Sequence, residues 1–85
     1  MPKVVIYTKT NCPYCVSAKR LFTSKNVAFE EINLETKPDE FEKLKKRTGM
    51  RTVPQIFIND QLIGGYSDLA ALDEQKKLDA LLRDA

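Results

Sequence analysis

Along this chain the spacing of apolar residues changes period again and again, and that alternation constrains the fold more tightly than any other feature. "KVVIYT" (Lys3–Thr8) is a β-branched and aromatic run bounded by Pro2 and by Lys9-Thr10-Asn11, which predicts a buried strand. Pro13, suited to a first helical turn, then opens a stretch of helical period in which Val16, Ala18, Leu21 and Phe22 lead to a stop at Asn26. "VAFEEINL" (Val27–Leu34) alternates apolar and acidic residues around Phe29 and Ile32 and predicts a second strand. Thr36, with Asp39 three residues on, has the form of a capping box. Phe41, Leu44 and Thr48 trace one helix face as far as Gly49. Beyond it "QIFI" and "QLI" flank Asn59-Asp60, a two-residue hairpin turn. Gly64-Gly65 ends the hairpin, and Ser67 and Asp68 offer caps for the next helix. Leu69, Leu72, Leu78, Leu81 and Leu82 then supply one or two amphipathic helices. The order β-α-β-α-β-β-α, with neither repeat nor linker, predicts an α/β protein: a small mixed sheet of four strands covered by helices.

Totals narrow the function. At 85 residues the chain reads as one domain, residues 1–85, close to the size at which a single core becomes marginal. A net charge of +2, from 14 basic against 12 acidic residues, is too small and too mixed for a nucleic-acid surface. No apolar run approaches the ~18 residues of a membrane span, and "MPKVVIYTKT" lacks the apolar centre of a signal peptide. The expected location is cytoplasmic, with neither membrane nor nucleic acid as partner. There is no histidine, so Ser-His and Cys-His mechanisms are excluded. Phe22, Phe29, Phe41 and Phe57 are read as core.

The two cysteines, Cys12 and Cys15, fall where the first strand gives way to the first helix. A link between them spans two intervening residues and removes little entropy from the unfolded chain, so it is a weak staple. A tetrahedral zinc shell usually takes four Cys or His ligands, and carboxylates or a second chain would have to complete this one. A redox pair uses every local feature instead. Unbonded N–H groups and the positive dipole end at a helix N-terminus favour a thiolate at Cys12, and Lys9 adds positive charge upstream. Cysteines so placed have pKa values lowered to about 3.5–7.5. Cys12 is the expected nucleophile, and Cys15, inside the first turn, the thiol that resolves a mixed disulfide. Pro13 stiffens the turn, and Tyr14 flanks the cleft. Cys-x-x-Cys between a strand and a helix reads as redox chemistry.

"CPYC" after a strand, followed by "TVPQIFI" and "GGYSDL", resembles a dithiol glutaredoxin of the thioredoxin-like fold, and the resemblance covers essentially the whole chain. It implies a glutathione-dependent thiol–disulfide oxidoreductase in which Cys12 takes up glutathione as a mixed disulfide and Cys15 resolves protein disulfides. It further implies a cis peptide before Pro54, with Val53 pairing to the cysteinyl part of glutathione like an added strand. Thr52 and Tyr14 would line the groove. Ser67 N–H and the Asp68 carboxylate would hold the γ-glutamyl end, and Lys9 the glycyl carboxylate. The implied partners are glutathione and disulfide-bonded or glutathionylated proteins, a ribonucleotide reductase among them, acted on by a monomer with no tightly bound cofactor or metal. Two positions depart from the pattern: Phe41, with Lys45 and Arg47 near it, stands where some relatives carry Gln or Arg, and Tyr66 where many carry a third cysteine. Two alternatives remain. One is a redoxin reduced by thioredoxin reductase, against which Lys9, Ser67 and Asp68 argue. The other is a dimeric iron–sulfur carrier using Cys12 and two glutathiones, which Pro13 disfavours.

Overall fold

The computed structural model describes residues 3–83. Strand β1 (Val4–Thr8) leads to helix α1 (Pro13–Ser24), then β2 (Glu30–Asn33) and α2 (Pro38–Thr48). The hairpin β3 (Gln55–Ile58) and β4 (Gln61–Gly64) comes next, and α3 (Tyr66–Glu74) and α4 (Leu78–Arg83) close the chain. The four strands lie in the order β2-β1-β3-β4. β1 pairs parallel to β2 and antiparallel to β3, and β3 pairs antiparallel to β4. The mixed sheet expected from the alternation is therefore present, with β1 and β3 at its centre.

Side-chain period then divides the core in two. Ile56 and Ile58 of β3 join Val4 and Ile6 of β1 on one face, where Ala18, Phe22, Leu69, Leu78 and Leu82 cover them. Phe57 faces the other way and meets Leu34, Phe41 and Leu44. All four residues of β3 are buried, as a strand covered on both faces must be. Phe22 has no exposed surface, and truncating so large a core side chain costs about 3–5 kcal/mol. Of the four phenylalanines read as core, Phe22, Phe41 and Phe57 are buried and Phe29 packs half-buried against the first cluster.

The joints account for most differences from the sequence-based expectation. At Asn59 and Asp60 φ is 52° and 66°, the left-handed pair that a type I′ hairpin turn demands. The second strand begins later than Val27, because Val27 N–H donates to Phe22 O (3.0 Å) and Asn26 turns left-handed (φ 58°) to finish α1. Thr36 and Asp39 form no capping box. Pro38, whose fixed φ and missing N–H suit the first helical position, places the cap on Lys37, which makes no side-chain cap bond. Ser67 and Asp68 lie inside the first turn of α3 and not at its cap, which is Gly65. The leucine-rich tail breaks into two helices at Lys76 (φ 60°), where Lys77 N–H donates to Leu72 O at 2.8 Å. Among the described residues no helix is long and apolar enough to cross a membrane.

Candidate active site

Cys12 is the N-cap of α1. The turn that brings it there passes through Asn11 at φ 59°, a conformation that Asn tolerates better than most residues. Pro13 takes the first helical position, and Val16 N–H donates to Cys12 O at 3.1 Å, closing the first turn. Cys15 N–H donates to Cys12 Sγ at 3.2 Å. The sulfur thus fills the capping role that an oxygen side chain usually fills, and it receives one of the unbonded N–H groups of the helix end. Three residues of helix bring the Cα atoms of Cys12 and Cys15 to 5.2 Å, and the two are joined as a disulfide. They are not equivalent: Cys12 is half-buried, whereas Cys15 is 1% exposed. An attacking group from solvent reaches only Cys12.

A loop from the far side of the sheet faces this turn. The Val53–Pro54 peptide is cis, and Val53 O lies 3.9 Å from Cys12 Sγ. Beside them runs a groove of about 260 Å³ lined by Tyr14, Thr52, Val53, Pro54 and Ser67, together with Gly65 and Tyr66. Five residues singled out in the sequence therefore meet in one wall. Lys9 and Asp68 do not line it. The Lys9 ammonium sits 4.3 Å from the centre of the Phe41 ring, and Lys45 sits 4.4 Å from the same ring. Two cations thus converge on one aromatic ring. Asp68 Oδ2 accepts the Gly65 N–H at 3.0 Å and so closes the start of α3 from its third helical position.

Gly65 and Tyr66 were not among the residues singled out as binding. The Tyr66 ring stacks on that of Tyr14, 6.2 Å between centres and 24° between planes, and the pair forms an aromatic side to the groove. Tyr14 remains 66% exposed, so the stack leaves most of its surface free for a ligand. No local pattern links the two tyrosines, which belong to α1 and α3. Gly64, at φ 121°, lets the chain leave β4 and pass the Asp68 side chain, where a Cβ would collide with the carboxylate.

A dithiol at a helix N-terminus beside a central strand, faced by a cis-proline loop, defines a thiol–disulfide oxidoreductase on the thioredoxin-like fold. The Glutaredoxin family profile matches residues 4–63. Glutaredoxin 3 of Escherichia coli K12 is 51% identical over 83 residues, covering 98% of this chain and all of that one. The solved structure of wheat glutaredoxin superposes with a TM-score of 0.92 at 44% identity, over 96% of this chain and 80% of that chain. A buckwheat glutaredoxin–glutathione complex gives 0.89 at 32% identity, over 95% and 76%. The chain belongs to the glutaredoxin family and is a glutathione-dependent thiol–disulfide oxidoreductase.

Proposed function

We propose that Cys12 is the working nucleophile and that the groove beside Val53 holds the glutathionyl group. The observation that carries this reading is the position of Cys12 Sγ: half-buried, receiving the Cys15 N–H, and next to the groove that Val53, Tyr14 and Ser67 share. The Cys12 thiolate attacks the glutathionyl sulfur of a mixed disulfide. A Cys12–glutathione bond forms, the old S–S bond breaks, and the substrate leaves as a thiolate that takes up a proton. A second glutathione thiolate then attacks the glutathionyl sulfur, releasing oxidised glutathione and restoring Cys12. With a protein disulfide the first adduct joins Cys12 to the substrate protein. Cys15 attacks Cys12 to release the reduced protein, and two glutathiones reopen the Cys12–Cys15 disulfide.

Within this reading Val53 N–H and C=O pair with the cysteinyl part of glutathione as an added strand. Thr52 and the Tyr14–Tyr66 stack flank it. Ser67 N–H and Asp68, at the start of α3, receive the γ-glutamyl carboxylate and ammonium respectively. The two ammoniums at Phe41, Lys9 and Lys45, supply the charge for the glycyl carboxylate. The bound glutathione of the buckwheat relative supports the ligand assignment. The inferred working form is a cytoplasmic monomer without resident cofactor, acting on glutathionylated proteins and on protein disulfides such as that of a ribonucleotide reductase.

The test is turnover of a small glutathione mixed disulfide coupled to glutathione reductase. Wild type and Cys15→Ser should both turn over. Cys12→Ser should lose activity by at least ~10³-fold, the scale on which removing an enzymatic nucleophile acts. Protein-disulfide reduction should require both cysteines. Activity confined to a thioredoxin reductase system, or a Cys15→Ser enzyme inactive on the small substrate, would reject the assignment.

A further inference from the structure

Gln55 is a fully buried polar side chain that the exchange chemistry does not use. It has no exposed surface and opens β3 opposite Tyr7, directly after cis-Pro54. Its Nε2 donates twice, to Met50 O at 3.1 Å and to Thr52 O at 3.0 Å. Its Oε1 is buried and has no hydrogen-bonding partner among the described residues. Burying an amide with half of its polar capacity unused is unfavourable, and an apolar side chain would fill the same space without that penalty. What the glutamine alone supplies is the pair of donors. Both act on the loop between α2 and β3, where Met50 N–H also donates to Thr48 Oγ1 at 3.1 Å.

We propose that Gln55 is a positioning residue for the proposed glutathionyl site: by fixing the carbonyls of Met50 and Thr52 it sets the backbone of Val53. The inference rests on the glutathione reading given above. Strand-like pairing needs the Val53 N–H and C=O held in one orientation. The residue before Val53 is the one whose carbonyl Gln55 takes, and the residue after it is a buried cis-proline. Val53 is thus clamped on both sides. The closer support of the Cys12 sulfur comes from a different element, the N-terminus of α1, whose Cys15 N–H lies at 3.2 Å against 3.9 Å for Val53 O. Loosening the clamp should therefore weaken substrate capture and leave thiol reactivity alone.

The experiment compares wild type with Gln55→Met, which keeps length and apolar volume but has no donor. Turnover of a glutathione mixed disulfide is measured beside alkylation of reduced Cys12 by iodoacetamide, a reagent too small to need the groove. For Gln55→Met kcat/KM should fall about tenfold, mostly through KM, as expected when a positioning contact is lost. The alkylation rate should stay within about twofold of wild type, the same positioning argument giving no change at the sulfur. Gln55→Glu, of the same shape but with a carboxylate facing two carbonyls, should fall further. With Gln55 retained, its side-chain amide signals in a nitrogen–proton correlation spectrum should move when Cys12 is glutathionylated in a Cys15→Ser background. This last measurement decides the matter if both Gln55 variants fail to fold. Unmoved signals, a Gln55→Met enzyme within twofold of wild type, or parallel losses in alkylation and turnover would each overturn the proposal. Wild type inactive with glutathione would instead reject the glutathione reading itself.

Discussion

The two halves of the site are built in opposite ways. The thiol half is local: Asn11, Cys12, Pro13 and Cys15 are near neighbours in sequence, and one helix N-terminus supplies both the geometry and the N–H donor to sulfur. The groove half is assembled from a distance. Thr52–Pro54 arrive on the loop before β3, Gly65–Ser67 on the join between β4 and α3, and Tyr14 projects from α1 to meet Tyr66. Chemistry that needs two sulfurs and a dipole fits within one turn of helix. Recognition of an extended ligand needs a surface longer than any single turn, so the fold must bring separate segments together.

That contrast is open to attack from each side. The largest effect is expected from Gly64→Ala. A side chain there combines φ of 121° with a collision at the Asp68 carboxylate, so it should cost about 2 kcal/mol in urea unfolding. The folded fraction should show a raised KM for the glutathione substrate and an unaltered rate of Cys12 alkylation. A change in alkylation would mean that the thiol half is not self-contained.

Next comes Asp68, where one carboxylate has two assigned tasks. Asp68→Asn keeps an oxygen for the Gly65 N–H, whereas Asp68→Ala removes it. The alanine variant should lose about 0.5–1 kcal/mol of stability, in line with the loss of a helix-start hydrogen bond. The asparagine variant should unfold like wild type. Both should raise KM for the glutathione substrate, because both remove the charge proposed to meet its ammonium. A wild-type KM in Asp68→Asn would leave the residue with the helix task alone.

The smallest effect probes how α1 is tied to the sheet. The Thr8 hydroxyl donates to Glu31 Oε2 at 2.8 Å and Lys19 donates to the same oxygen at 3.0 Å. Thr8, first, and Lys19 hold the Glu31 carboxyl below its ordinary range. A carboxyl lowered in the folded state stabilises the protein above its unfolded pKa, and that gain disappears as pH falls through the folded value. Glu31→Gln should therefore melt below wild type near neutral pH, with the gap closing as pH falls through the lowered range of Glu31, where the wild-type carboxyl is protonated and as uncharged as the glutamine. Glu31 is partly exposed, so the gap should be a few degrees at most. A gap that is constant with pH would assign the tether to hydrogen bonding without charge.

Legibility tracked the same divide. The element order, the hairpin at Asn59-Asp60 and the C-cap at Gly49 (φ 77°) could be read from the sequence because period and turn chemistry are local. The caps of α2 and α3 could not. Thr36 and Ser67 have the right chemistry for a cap, but Pro38 fixes one helix start and Gly65 the other, each displacing the cap from the residue that local preference picks. Tyr66, and Gln55 with its paired loop carbonyls, carried no sequence signal for a role in the groove. Their contacts lie across the fold or run back along an irregular loop.

By itself, the sequence determined the alternation that makes a helix-covered mixed sheet, and a cysteine pair at the first strand-to-helix turn, where spacing and helix dipole are sufficient. It also made the two cysteines unequal in exposure, since a residue at the cap is reached by solvent and one a turn further in is not. Only the tertiary structure decided that Lys9 and Lys45 converge on Phe41, that Tyr66 stacks on Tyr14, and that Gln55 holds the loop leading to Val53. These contacts join residues that no helical or strand period relates, and they exist only once the sheet order β2-β1-β3-β4 has brought their elements together.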